Sequence, residues 1–130
     1  MCLVIDKNEH KDLRPKLALK PIFVYKLLKT TNYGCYKTPY REKEIIFDVN
    51  GKCICADNIQ QIGNTGMVGP GIHAYTSLLS AKLGALSFAR GSFCIVKAII
   101  PIFSRYFIGK CNCIVSNKMI ITNEIIWDIC

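Results

Sequence analysis

"EIIFDVNGKCICAD", residues 44–57, is the stretch from which the fold is first read. Asn50-Gly51 can supply the positive φ angles of a two-residue type I′ turn, and apolar or β-branched residues flank it on both sides. The pattern predicts a β-hairpin from about Glu44 to Ala56. In its second arm Cys53 and Cys55 lie two residues apart, so in a strand their thiols share one face. Upstream, "IFVYKLLK" (22–29) follows Pro21 and is rich in strand formers. Downstream, "SFCIVKAII" (92–100) ends at Pro101 and reads as a buried strand. "RYFIGKCNCIVS" (105–116) predicts a hairpin turning at Gly109-Lys110, and "KMIITNEIIW" (118–127) predicts one or two further strands. Between these runs "TSLLSAKLGALSFA" (76–89) sets Leu79, Leu83 and Leu86 at helical spacing, with Thr76 or Ser77 as N-cap and Gly84 as a weak point. Many strands, one or two helices and no βαβ alternation predict an α+β fold: one small domain over residues 1–130 with a mostly antiparallel sheet.

Hydrophobic residues make up 51% of the 130, enough for a core, so a disordered chain is not expected. The apolar runs are broken by Lys, Pro or Arg before they reach the length of a membrane span. "MCLVID" is too short for a secretory signal, which makes the cytoplasm the expected location and a membrane no partner. In a reducing compartment the eight cysteines serve as small apolar residues. The pairs Cys53/Cys55 and Cys111/Cys113 are spaced as strand neighbours. Zinc-binding pairs need two to four residues between the ligands, so core packing is expected and no metal or cofactor is assigned. "DKNEHKDLRPK" (6–16) reads as an exposed loop with His10 at the surface.

The net charge of +8 is unevenly spread. Asn58 to Asn123 holds no Asp or Glu, yet it contains Lys82, Arg90, Lys97, Arg105, Lys110 and Lys118. A field of one sign attracts anions. Within it "GNTGMVGPGIHAYTS" (63–77) carries Gly63, Gly66, Gly69 and Gly71, whose backbone can turn N–H groups toward one concave side. The helix that follows adds its unpaired amides. Gly71, His73, Tyr75, Thr76 and Ser77 are therefore candidate ligand-binding residues, with His73 orienting the ligand. The loop matches neither a Walker motif nor a dinucleotide fingerprint, and the competing reading is a long connection with an ordinary histidine. In "NYGCYKTPYREK" (32–43) Tyr33, Tyr36 and Tyr40 interleave with Lys37, Arg41 and Lys43. Aromatic faces stack on bases and cations neutralise phosphates, although tyrosines also cap sheet cores. Tyr36, Lys37, Tyr40, Arg41, Arg90 and Arg105 complete the candidate set. No paired carboxylates, Ser-His-Asp order or HExxH appears, so a non-enzymatic role is expected. The cations form no dense run, which favours an anionic small-molecule nucleotide ligand over polymeric nucleic acid.

"VYKLL", "YKTPY", "GIHAY", "IIP" with "YFIG", and "IVSNKMI" follow one another in an order that resembles a group of small uncharacterised proteins of phages and the bacteria that carry them. The resemblance spans most of the chain. It implies a host-cell cytoplasmic setting and a counter-defence role, in which a homo-oligomer binds a nucleotide signal such as a cyclic nucleotide and withholds it as a sponge. A second, looser resemblance is to ADP-ribosyltransferases, in which Tyr75-Thr76-Ser77 and Glu124 match the family pattern. Tyr25 and Lys26 stand where that family has its first-strand His or Arg. This resemblance implies the alternative, an enzyme acting on NAD.

Overall fold

Alternation of inward apolar and outward residues builds most of the fold. A computed structural model describes residues 3–10, 13–31, 35–39, 43–59, 61–62, 66–87 and 91–129. In chain order the elements are β1 (Leu3–Val4), β2 (Lys16–Leu17), β3 (Ile22–Thr30), β4 (Tyr36–Lys37), β5 (Glu44–Ile45), β6 (Lys52–Ala56), β7 (Gln61–Ile62), β8 (Met67–Val68) and β9 (Ile72–Tyr75). Helix α1 (Leu78–Leu86) follows, then β10 (Ser92–Ile100), β11 (Arg105–Ile108), β12 (Cys113–Ser116) and β13 (Lys118–Ile129). The protein is an α+β domain with one helix among the described residues and a large antiparallel sheet.

The main sheet runs β2-β11-β12-β9-β3-β10-β13-β6, with β4 and β5 branching from the end of β3. It is curled. Ala18 and Tyr106, from the β2–β11 end, pack in the same core as Cys53, Cys55 and Met119 from the β13–β6 end. On β10, Cys94, Val96, Ala98 and Ile100 face this inner core, while Phe93 and Ile95 face α1 on the outside. A three-stranded sheet, β1-β8-β7, covers β11 and β12 from outside through Leu3, Ile5, Val68, Phe107 and Val115.

Helix α1 begins where its sequence indicates: Ser77 Oγ accepts from Ser80 N at 3.1 Å, which satisfies one of the first-turn amides. Its leucines, however, do not enter the core. Leu79, Leu83 and Leu86 are 68%, 59% and 63% exposed, and the helix packs through Ala81 and Ala85. Small residues let it lie close to β3 and β10. Gly84 serves the same end, because a Cβ there would run into the Tyr75 hydroxyl.

Three local expectations are corrected. The Glu44–Ala56 hairpin forms its turn but does not zip: β5 pairs with β4, and β6 pairs with β13. Gly51 takes a left-handed φ of 74°, whereas Asn50 does not. Asp48 N donates to Lys52 O at 2.7 Å and Gly51 N to Asp48 O at 3.0 Å, so the loop is of the longer, bulged kind and not type I′. In the β11–β12 hairpin the left-handed positions are Cys111 and Asn112, not Gly109-Lys110. Gly109 is needed instead because Leu3 packs where its Cβ would be. His10 is buried, 3% exposed: its Nδ1 donates to Arg14 O and its Nε2 accepts from Ile108 N, both at 2.8 Å. The second of these bonds ties His10 to β11.

Candidate functional site

Strand β3 alternates in phase with the sheet. Val24 and Leu28 point into the inner core, Tyr25 and Leu27 point toward α1, and Lys26 falls on the inner face between Val24 and Leu28. It is 5% exposed. Its Nζ donates to the His73 carbonyl at 2.6 Å. Among the described residues no carboxylate forms an ion pair with it. Burial pulls the Lys26 ammonium down to about 8, against the opposing pull of Cys55.

Lys26 lines a cavity of about 110 Å³. β6 contributes Cys55 and the segment after it Asp57. Gly69, Gly71, Ile72 and His73 form the wall leading into β9, while Thr38, Pro39, Lys43 and Ile45 come from the β4–β5 branch. Gly71 has a φ of +124°, and a Cβ there would strike Val115 and Ile59, so only glycine lets this wall pack so closely. His73 Nε2 donates to Gly69 O at 3.0 Å, closing the loop on itself. Thr38 Oγ1 accepts from Lys43 N at 3.0 Å, which leaves its own proton available to a ligand. The Cys53 and Cys55 sulfurs are 3.7 Å apart, and burial, reinforced by Cys53, pushes the Cys55 thiol up to about 11. Cys55 is thus a neutral wall at ordinary pH, and the cavity is apolar apart from its two lysines, Asp57, Thr38, His73 and the loop backbone.

Of the residues singled out from the sequence, Lys43, Gly69, Gly71 and His73 stand in this wall. Tyr75 lines a smaller space of about 40 Å³ that shares Lys26 and His73. Thr76 and Ser77 hold the fold: Thr76 N and Oγ1 both donate to Asn112 O, and Ser77 caps α1. Tyr36 packs edge-on against Phe47, 5.6 Å between ring centroids. Lys37 opens onto a separate wide groove of about 650 Å³ with Lys29 and Glu44. Arg105 is exposed on β11 and forms no part of the cavity. Tyr40, Arg41 and Arg90, with Tyr33 and Gly63, lie outside the described residues. Glu124 is exposed on β13 and does not line the cavity.

The described cations of the acid-free stretch do not gather around the loop. Lys82 lies over Trp127 and Lys97 over Phe23, at 5.5 and 5.1 Å from the ring centroids. The cavity's cations, Lys26 and Lys43, come from the first half of the chain. Lys26 carries a signal in the sequence, being in phase with Val24 and Leu28 on an apolar strand. Cys55 carries none that separates it from Cys53.

All six described cysteines are free thiols. Among the described residues no group of three or more His, Cys, Asp or Glu side chains could hold a metal ion, and no helix is long and apolar enough to cross a membrane. Compared with protein-family models, curated proteins and solved structures, the chain has no match.

Proposed function

We propose that this protein binds a phosphate-bearing, nucleotide-derived small molecule without transforming it, with the phosphate seated in the Lys26 cavity. One observation carries the reading: a buried ammonium, without a carboxylate partner among the described residues, lines a cavity whose wall also holds Lys43 and a glycine loop. Taking a charge out of water costs free energy that a counter-charge offsets, so an anion in the cavity supplies what the fold leaves out. The cavity of about 110 Å³ takes one phosphate-sized group, and the remainder of the ligand lies across the rim beside Thr38 and Lys43. Such a protein would act as a sponge, holding a signal molecule away from its receptor in the host cytoplasm.

Calorimetric titration with inorganic phosphate, ADP and a cyclic dinucleotide tests this. The nucleotides are expected to bind at micromolar or tighter Kd and to be recovered unaltered on heating the complex. Lys26→Met and Lys43→Ala should each weaken binding at least tenfold, and Arg105→Ala should leave it unchanged. Absence of heat with all three probes, or full affinity in Lys26→Met, would defeat the proposal.

A further inference from the structure

Lys26 is also placed for covalent chemistry. Its nitrogen is fixed at 2.6 Å from the His73 carbonyl, within a wall that is mostly apolar. The groups that face it are the Cys55 thiol from β6 and the His73 backbone from β9, while Asp57 and Lys43 stand on the same cavity. A lysine held in this way differs from the solvated surface lysines in two respects: its ammonium is destabilised by burial, and its nitrogen does not sample many directions.

We infer that Lys26 captures a small anionic carbonyl compound, an α-keto acid or an aldehyde bearing a carboxylate or phosphate, as a reversible imine. In the capture the neutral Nζ adds to the carbonyl carbon and a C–N bond forms. The nitrogen's proton passes to the former carbonyl oxygen, giving a carbinolamine. Loss of that oxygen as water, with the second nitrogen proton, leaves the C=N bond, so amine and carbonyl yield imine and one water with no oxidant or reductant. Lys43 faces the anionic end of the captured molecule. Release of the ammonium proton near pH 8 makes the neutral amine far more abundant on Lys26 than on an exposed lysine at the same pH. The inference rests on the anion-seat reading of this cavity only for the ligand's charge, not for the bond.

The test uses glyoxylate with cyanoborohydride at pH 7.5, followed by peptide mass mapping, with and without excess inorganic phosphate. Lys26 is expected to be alkylated at least tenfold faster than any exposed lysine. Lys26→Arg, which keeps the cation, and Lys26→Met should both lose the fast site while keeping the parent's circular dichroism. Labelling spread evenly over exposed lysines with Lys26 unmodified overturns the inference, even if phosphate binding by calorimetry persists. Fast labelling of Lys26 that phosphate does not slow supports the imine and counts against the anion seat. Slowing by phosphate supports both.

Discussion

Lys26 is the residue on which the proposed chemistry turns, and its burial has a measurable consequence for folding. Between about pH 8 and its ordinary 10.5 the folded protein has released the Lys26 proton while the unfolded chain still holds it. The unfolded state then binds more protons, so this lysine's contribution to stability rises with pH across that window. The full swing is on the order of 3 kcal/mol. Cys55 and Cys94, both pushed up to about 11 by burial, act in the opposite direction above pH 9, because there the unfolded chain loses thiol protons first. Urea unfolding of the parent and Lys26→Met separates these terms, since both proteins keep both cysteines. Below pH 8 the Met variant is expected to be the more stable by about 1–3 kcal/mol, after loss of about 1 kcal/mol for the hydrogen bond to His73. That margin should shrink as pH rises to 10.5. A margin independent of pH would mean that the lysine is solvated.

At the scale of elements, α1 shows how a poor helix former can be the better residue. Gly84 costs the helix about 1 kcal/mol relative to Ala. An alanine Cβ would displace the Tyr75 ring, which is wedged between β9 and the helix, and overpacking costs about 1–3 kcal/mol. Gly84→Ala is therefore expected to destabilise, and to do so less in a Tyr75→Leu background, a coupling that thermal unfolding of the four-member cycle would measure. Equal effects in both backgrounds would disprove the contact. The helix start was legible because Ser77 acts locally, and β3 and β10 because their β-rich runs end at prolines or polar residues. The Glu44–Ala56 pairing was not legible. Asn50-Gly51 reports a turn, but which neighbour each arm takes is decided by the curled sheet, where β13 offers β6 a five-residue register from Lys118 to Thr122. Leu79, Leu83 and Leu86 marked the helix correctly but do not form its buried face, because close approach to β3 selects alanine over leucine. The Lys26 cavity was half legible: the glycine loop was visible in the sequence, but its union with Lys26, Lys43 and Cys55 depends on three strands distant along the chain.

For the whole molecule, the unequal distribution of charge has a different role from the one its sequence position suggests. The acid-free stretch spreads its described cations over several faces, on α1, on β10, at the β11–β12 turn and at the start of β13, so in the proposed binding they supply a field and not ligands. A field of this kind raises the rate of encounter with an anion but does not hold it once seated. Raising ionic strength from about 0.01 to about 0.15 M shortens the screening length from about 30 to about 8 Å, which removes most of the reach of exposed lysines and little of a buried one's. Stopped-flow binding of a nucleotide should thus show an association rate that falls several-fold over this range, with dissociation nearly constant. Lys110→Gln with Lys118→Gln, both exposed and outside the cavity wall, should flatten the salt dependence of association and leave dissociation alone. Lys43→Ala should do the reverse, speeding dissociation. If the Lys110/Lys118 pair controls dissociation instead, the ligand is held on the outer surface and the Lys26 cavity is not its seat.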